Sequence, residues 1–224
     1  MLHHKQIKTI LAISLLLLAV ILQPAAIIPL TPGEQNAPDH ETSLPALHSF
    51  IKAVSTDSPD QITGVYVDDQ FALPVTEQPA AQPGYVSNRP DTVTQFGMAE
   101  SYGTIGLLAH NYLAGEYFHD FTSGTEVIII HGDGSIKRYI ISSNTSYQAL
   151  QPNSPHSSFK NLTTGELLSA ADLFTEMYTQ PGTITFQTCI ASEGISSWGR
   201  LFVRAIPAEQ YAASDVPSGS TIRQ

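Results

Sequence analysis

The chain has 224 residues, enough for one domain with tails, and 42% of them are hydrophobic against 13% charged. Its formal net charge is -10, with only 10 Lys and Arg and no basic stripe, which argues against nucleic acid or another polyanion as a partner. The 15 Gly and 15 Pro favour a turn-rich, β-dominated architecture.

The first residues carry His3, His4, Lys5 and Lys8, followed by an apolar run over 9–22. Gln23 and Pro24 interrupt it, and it resumes as far as Leu30. Counted to Gln23 the run is a signal-peptide core; counted to Leu30 it approaches the roughly 20 residues of a membrane span. Residues 1–30 are therefore expected to be a signal peptide or membrane anchor. The rest would lie at the extracytoplasmic face of the cell membrane or be secreted. Residues 31–47 are rich in Pro, Glu, Ser and Asn and read as a flexible linker. A domain over 48–207 follows. Residues 208–224 are small and polar and read as a disordered tail.

A short helix is expected over 45–54, with Leu47, Phe50 and Ile51 on one face. Residues 61–67 alternate around Ile62, Val65 and Val67, Asp68-Asp69 is a turn, and 71–75 returns as a hairpin strand. Residues 78–84 form a Pro-rich loop. The run 104–109 is continuously apolar and ends at His110. A β-branched strand over 126–131 turns at Gly132-Asp133-Gly134 and returns over 136–141. Residues 165–178 carry the best helical pattern, with Leu167, Leu168, Ala171, Phe174 and Tyr178 at helical spacing, and Pro181-Gly182 stops it. That stripe is most simply core packing; its alternative is one wall of a substrate groove. Strands over 183–190 and 200–206 complete the domain. Seven or eight strands with one or two short helices imply a mostly β fold, a closed seven- to eight-stranded barrel.

Cys189 is the only cysteine, at the end of Thr185-Phe-Gln-Thr-Cys189. An exported chain normally pairs its cysteines, and this one has none to pair. The thiol is either a buried passenger or a reactive group. A thiol attacks carbonyls as thiolate, favoured by an imidazole or a positive neighbour. The tetrahedral intermediate then needs donors for its oxyanion, and a leaving amine needs a proton from a general acid. Cys189, Arg200 and His110 supply one group for each task. Arg204, four residues on and on the same strand face, is the rival to Arg200. His119, His131 and His156 show no metal-ligand spacing and are expected at the surface.

The runs Gly106-Leu-Leu-Ala-His110-Asn111, Thr185-Phe-Gln-Thr-Cys189 and Arg200-Leu-Phe-Val-Arg204 resemble the sortase transpeptidases over about residues 61–207. That family has a histidine ending an apolar strand, a T-L-x-T-C strand and an arginine opening the next strand; Phe186 stands here where Leu is usual. The resemblance implies that Cys189 is a nucleophile forming a thioester with a peptide, that His110 is the general acid/base, and that Arg200 holds substrate and oxyanion. It implies that Thr188 lines the pocket and donates a hydrogen bond. Asn111, next to the histidine, is grouped with it as a substrate-binding candidate without an assigned chemistry. The implied partners are an L-P-x-T-G-like sorting-signal peptide and an amine acceptor on the cell envelope or another protein, with the membrane reached through the N-terminal segment. No cofactor or metal site is expected, and no acidic cluster is clear enough to assign calcium.

Two other readings compete: a hydrolytic cysteine peptidase of the same fold, and a non-catalytic exported barrel that binds envelope components. Gln187-Thr188-Cys189 also resembles the caspase Q-A-C-x-G run, but Ile190-Ala191 lacks its glycine. Leu73-Pro74-Val75-Thr76-Glu77 looks like a sorting signal yet is internal, and reads as strand or turn.

Overall fold

The computed structural model describes residues 45–154 and 156–214. The signal or anchor segment and nearly all of the linker lie outside the described residues. Among the described residues no helix is long and apolar enough to cross a membrane.

The chain runs through helix α1 (Leu47–Val54), strands β1 (Ile62–Val67), β2 (Phe71–Glu77) and β3 (Val93–Gln95), the one-turn helix α2 (Gly97–Glu100), and β4 (Ile105–Leu108). A 3-10 helix (Ala114–Asp120) leads to β5 (Glu126–His131), β6 (Ile136–Ala149), β7 (Phe159–Asn161) and β8 (Leu167–Leu168). Helix α3 (Ala170–Tyr178), β9 (Ile184–Ser192), β10 (Ile195–Pro207) and α4 (Ala208–Ser214) complete it. The sheet order is β10-β9-β4-β3-β2-β1-β5-β6-β7-β8, and β10 also pairs with β6. That extra pairing closes eight strands into a barrel and leaves β7 and β8 as a flap outside it. The sequence reading of a mostly β, closed barrel is the observed one.

Local chemistry explains the tight connections. Asp69 takes a left-handed φ of 57° between β1 and β2, and Glu193 and Gly194 take 54° and 76° between β9 and β10. The consecutive left-handed pair Glu193-Gly194 is the primed turn whose twist suits a two-residue hairpin, whereas Asp69 is the one left-handed residue of a three-residue loop closed by the bond from the Gln70 amide to the Val67 carbonyl. The barrel interior is filled by Val65, Phe71, Leu107, Ile129, Phe186 and Val203 with their neighbours. Outside, α1 lays Phe50 on Tyr66, Ile128 and Ile130. Strand β1 is thus buried on both faces and reads as nearly all apolar.

A third cluster decides where the site lies. On the outer face of β4, β9, β10 and β6, the side chains of Leu108, Phe202 and Tyr147 meet Phe174 and Tyr178 of α3 and Phe96. The helical stripe is therefore core packing, as expected for Phe174 and Tyr178. The helix begins at Ala170, however, because Ser169 caps it by accepting from the Asp172 amide. Leu167 falls in β8 and is exposed.

Three further expectations are corrected. β6 does not stop at Ile141 but continues to Ala149, since β10 pairs along it from Tyr139 to Gln148. The polar tail begins with helix α4, not disorder, through Ser214. His131 is not a surface residue: it is 8% exposed. The loop after α1 folds over it, as the Thr56 and Asp57 amides bond the Gly132 carbonyl.

Candidate active site

Strand alternation divides β9 into two faces. Ile184 and Phe186 point into the barrel core. Thr185, Gln187 and Cys189 therefore share the outer face. Cys189 is 4% exposed and forms no disulfide.

Register then places its neighbours. Across the antiparallel β9–β10 ladder, Cys189 stands opposite Arg200. Across the antiparallel β10–β6 ladder, Arg200 stands opposite Tyr147. On the other side, β4 runs parallel to β9, pairing Ile105 with Ile184 and Leu108 with Gln187. The Ala109 amide continues that ladder onto the Gln187 carbonyl. Carried two residues past Leu108, the same register sets His110 beside Cys189. Side chains in register share a face, with strands about 4.8 Å apart. Cys189, Arg200 and Tyr147 thus form one row across β9, β10 and β6 on the outside of the barrel, and His110, two residues past the end of β4, falls in line with it by the same register. Register therefore aligns the three residues selected from sequence on one face.

His110 is 7% exposed, and its Nδ1 is buried without a hydrogen-bond partner. Burial holds its pKa below the usual histidine value, partly opposed by a hydrogen bond with the Val86 backbone. The imidazole is therefore neutral near pH 7 and can accept a proton. A buried, unpaired imidazole nitrogen is costly unless a group such as a thiol or a bound substrate meets it. Tyr112, 61% exposed, stacks on this ring with centroids 5.1 Å apart.

Arg200 is 1% exposed. Its Nη1 donates to the carbonyls of Ser197 (3.0 Å) and Gly199 (2.8 Å), which orients the guanidinium from its own strand. Between Ile195 and Gly199 the β9–β10 register shifts, so this stretch of β10 bulges next to the arginine. Arg204 has a different task. Its Nη2 donates to the Glu176 carbonyl (2.6 Å) in the last turn of α3, where a cation suits the helix terminus.

Thr188 does not line the outer face. It points inward, is 2% exposed, and its hydroxyl donates to the Ala109 carbonyl at 2.9 Å. It links the residue before His110 to the residue before Cys189, and so fixes their register. Asn111 donates from Nδ2 to the Ser196 carbonyl at 3.3 Å, tying the turn after β4 to the β9–β10 hairpin. Gly115 is packed under the same turn: a Cβ there would lie 2.3 Å from Thr188 Oγ1 and 2.7 Å from the His110 carbonyl.

Three residues not predicted for the site lie in or beside the row: Tyr147 is a member of it, and Tyr112 and Gln187 border it. Tyr112 is two residues from His110, and Gln187 two before Cys189, so strand and turn proximity was the available signal. Tyr147 had none, since β6 was expected to end before it. Among the described residues no group of three or more His, Cys, Asp or Glu is placed to hold a metal.

This barrel is similar in fold to the sortases. Among solved structures, sortase A from Corynebacterium diphtheriae aligns with 65% of this chain at a TM-score of 0.43 and 14% identity. Sortase C-1 from Actinomyces oris aligns with 77% of the chain and 82% of its own length, at 0.43 and 11%. Sortase E1 from Streptomyces coelicolor, solved with a tripeptide in its active site, aligns with 68% of the chain and 91% of its own length, at 0.41 and 16%. The chain spans 60% of the length of the Corynebacterium enzyme. No family model matches the sequence, and no curated protein matches it.

Proposed function

We propose that the protein is a cysteine transpeptidase that cleaves an L-P-x-T-G-like sorting signal and passes the acyl group to an amine. The observation that carries this reading is the register: a thiol opposite a buried guanidinium, and in line with it, just past the end of β4, a neutral imidazole whose Nδ1 has no hydrogen-bond partner. Neutral His110 takes the Cys189 proton, and the thiolate sulfur attacks the scissile carbonyl carbon. The carbonyl π electrons move onto oxygen, where Arg200 supplies the stabilising charge. As the intermediate collapses, the C–N bond breaks and the His110 imidazolium gives its proton to the leaving amine. The product is a thioester on Cys189. An acceptor amine then attacks it, His110 takes the amine proton and returns one to the departing sulfur, and a new amide forms. The amine would belong to the cell envelope or another protein at the extracytoplasmic face of the membrane.

The test is thioester trapping. The protein is incubated with a library of L-P-x-T-G-like peptides, with and without amine acceptors, and intact mass is read for the wild type and for Cys189→Ala. The expected result is an acyl adduct on the wild type alone, discharged to a new amide when amine is added. No adduct with any peptide would overturn the enzyme reading. Adducts that only hydrolyse, whatever the amine, would make it a peptidase.

A further inference from the structure

Gln187 stands apart on the outer face of β9. It lies in register with Leu108 on one side and Phe202 on the other, both members of the apolar outer cluster. It precedes Cys189 by two residues and is a diagonal neighbour of both His110 and Arg200, within reach of a long side chain. A polar side chain in that setting needs a reason.

One half of the reason is Tyr178. Its ring is fully buried against Phe96, Phe174 and Phe202, with centroids 5.1 to 6.2 Å away. Its hydroxyl donates to Gln187 Oε1 at 2.6 Å. A phenol locked on three sides by aromatic rings holds the position of that oxygen. With Oε1 engaged by the phenol, the amide nitrogen is the group left to donate, and Gln187 is only half-buried two residues before the thiol.

Spacing indicates what it would meet. Two residues along β9 are about 6.6–6.8 Å, and the carbonyls that an extended peptide presents to one side repeat at the same interval. A peptide lying along this face with its scissile carbonyl at Cys189 places another carbonyl at Gln187. We propose that Gln187 is a substrate-binding residue, donating to the peptide carbonyl two residues from the scissile bond, and that Tyr178 is the positioning residue that aims it. This rests on the transpeptidase reading above, and the substrate class is an extended peptide chain.

The experiment is a double-mutant cycle in the full chain, using the library peptide that acylates the wild type fastest. Gln187→Met keeps the volume and removes the donor; Tyr178→Phe keeps the ring and removes the clamp. The double variant removes both partners of the buried hydrogen bond together, so neither is left unpaired and the fold is preserved. Steady-state KM and kcat are measured, together with the rate at which iodoacetamide alkylates Cys189. The expected result is a KM raised about tenfold in Gln187→Met, as for one lost hydrogen bond, and a few-fold in Tyr178→Phe. The double variant should match Gln187→Met, because Tyr178 acts only through Gln187. Values of kcat and of the alkylation rate should stay within about twofold of the wild type. Unchanged KM in the single and double glutamine variants overturns this inference and leaves the transpeptidase reading standing. Slower alkylation with unchanged KM overturns it by making Gln187 a structural support of the thiol. A wild type acylated by no peptide overturns the transpeptidase reading and this inference with it.

Discussion

The two arginines of β10 share a face but differ in what they touch, and replacing each in turn separates catalysis from packing. Arg200 is opposite Cys189, 1% exposed, and oriented by the Ser197 and Gly199 carbonyls. Losing a donor aimed at an oxyanion costs about 10²–10³ in rate. Arg200→Gln should therefore lower kcat/KM for the acylating peptide by that factor. Arg204 lies four residues on, about 13 Å along the strand. Its bond to the Glu176 carbonyl is a hydrogen bond to a charged group, worth about 1.5–3 kcal/mol. In a domain of this size each kcal/mol moves Tm by about 2–4 °C. Arg204→Ala should lower Tm by roughly 3–12 °C on those figures. Its kcat/KM, measured well below the transition, should remain within about threefold of the wild type. Arg200→Gln will also lose some stability, since two carbonyls lose their partner, so both variants are assayed at a temperature where each is folded by circular dichroism. An Arg204→Ala enzyme as impaired as Arg200→Gln, or an active Arg200→Gln enzyme, would refute the assignment.

Two more outcomes follow from the same geometry. Burial lowers the pKa of both His110 and His131, and for His131 the nearby Lys137 charge adds to the effect, against opposing contributions from Pro59, Asp133 and Asp60. The unfolded chain then takes up these protons at a higher pH than the folded one. Stability from the neutral rings is complete above the ordinary value of 6.5 and is lost as pH falls through the lower folded values. Tm should thus fall between pH 7 and pH 5, and fall less in His131→Leu; a slope unchanged by that substitution would contradict the burial account. Asn111→Ala removes the bond that ties the turn after β4 to the β9–β10 hairpin over a thiol that is 4% exposed. Alkylation of Cys189 by iodoacetamide should quicken about 2- to 10-fold, the range for one hydrogen bond, and an unchanged rate would show that this bond does not limit access.

Strand identity was legible wherever apolar patterning and turn chemistry agreed, as in β1–β2 and β5–β6. It failed where pairing rather than composition made the strand. Ser142, Ser143 and Asn144 lie beyond the strand expected over 136–141, yet they belong to β6 because β10 hydrogen-bonds along them. β3, β7 and β8 are two or three residues long and too short to show a period. The inward direction of Thr188 was available from alternation alone, since a residue adjacent to an outward Cys189 must face the other way. The family likeness implies that Thr188 lines the pocket and donates a hydrogen bond; here its hydroxyl donates to the Ala109 carbonyl. The link from Tyr178 to Gln187 was not legible, because it joins a helix to a strand across the Pro181-Gly182 turn. His131 was misread because its burial comes from the loop after α1, seventy-odd residues earlier.

The chemistry of this site is a property of register. His110 and Cys189 are separated by about half of the domain, and register brings them into line only because β4 and β9 are parallel neighbours. Parallel neighbours require a long crossover, which here carries β5 through α3. A slip of one residue in that pairing would turn His110 to the opposite face from Cys189. Several contacts oppose such a slip at the end where it matters. Thr188 bonds the Ala109 carbonyl. Gly115 admits the backbone of the following turn where any side chain would strike Thr188 and the His110 carbonyl. On the far side, a Cβ at Gly199 would lie 2.5 Å from the Tyr147 carbonyl, so glycine allows β6 to approach next to Arg200. Residues turned away from the outer face therefore hold the register of the three that lie on it. The lone cysteine is read as a nucleophile not because it is unpaired, but because both of its neighbouring strands are pinned to present it with a base and a cation.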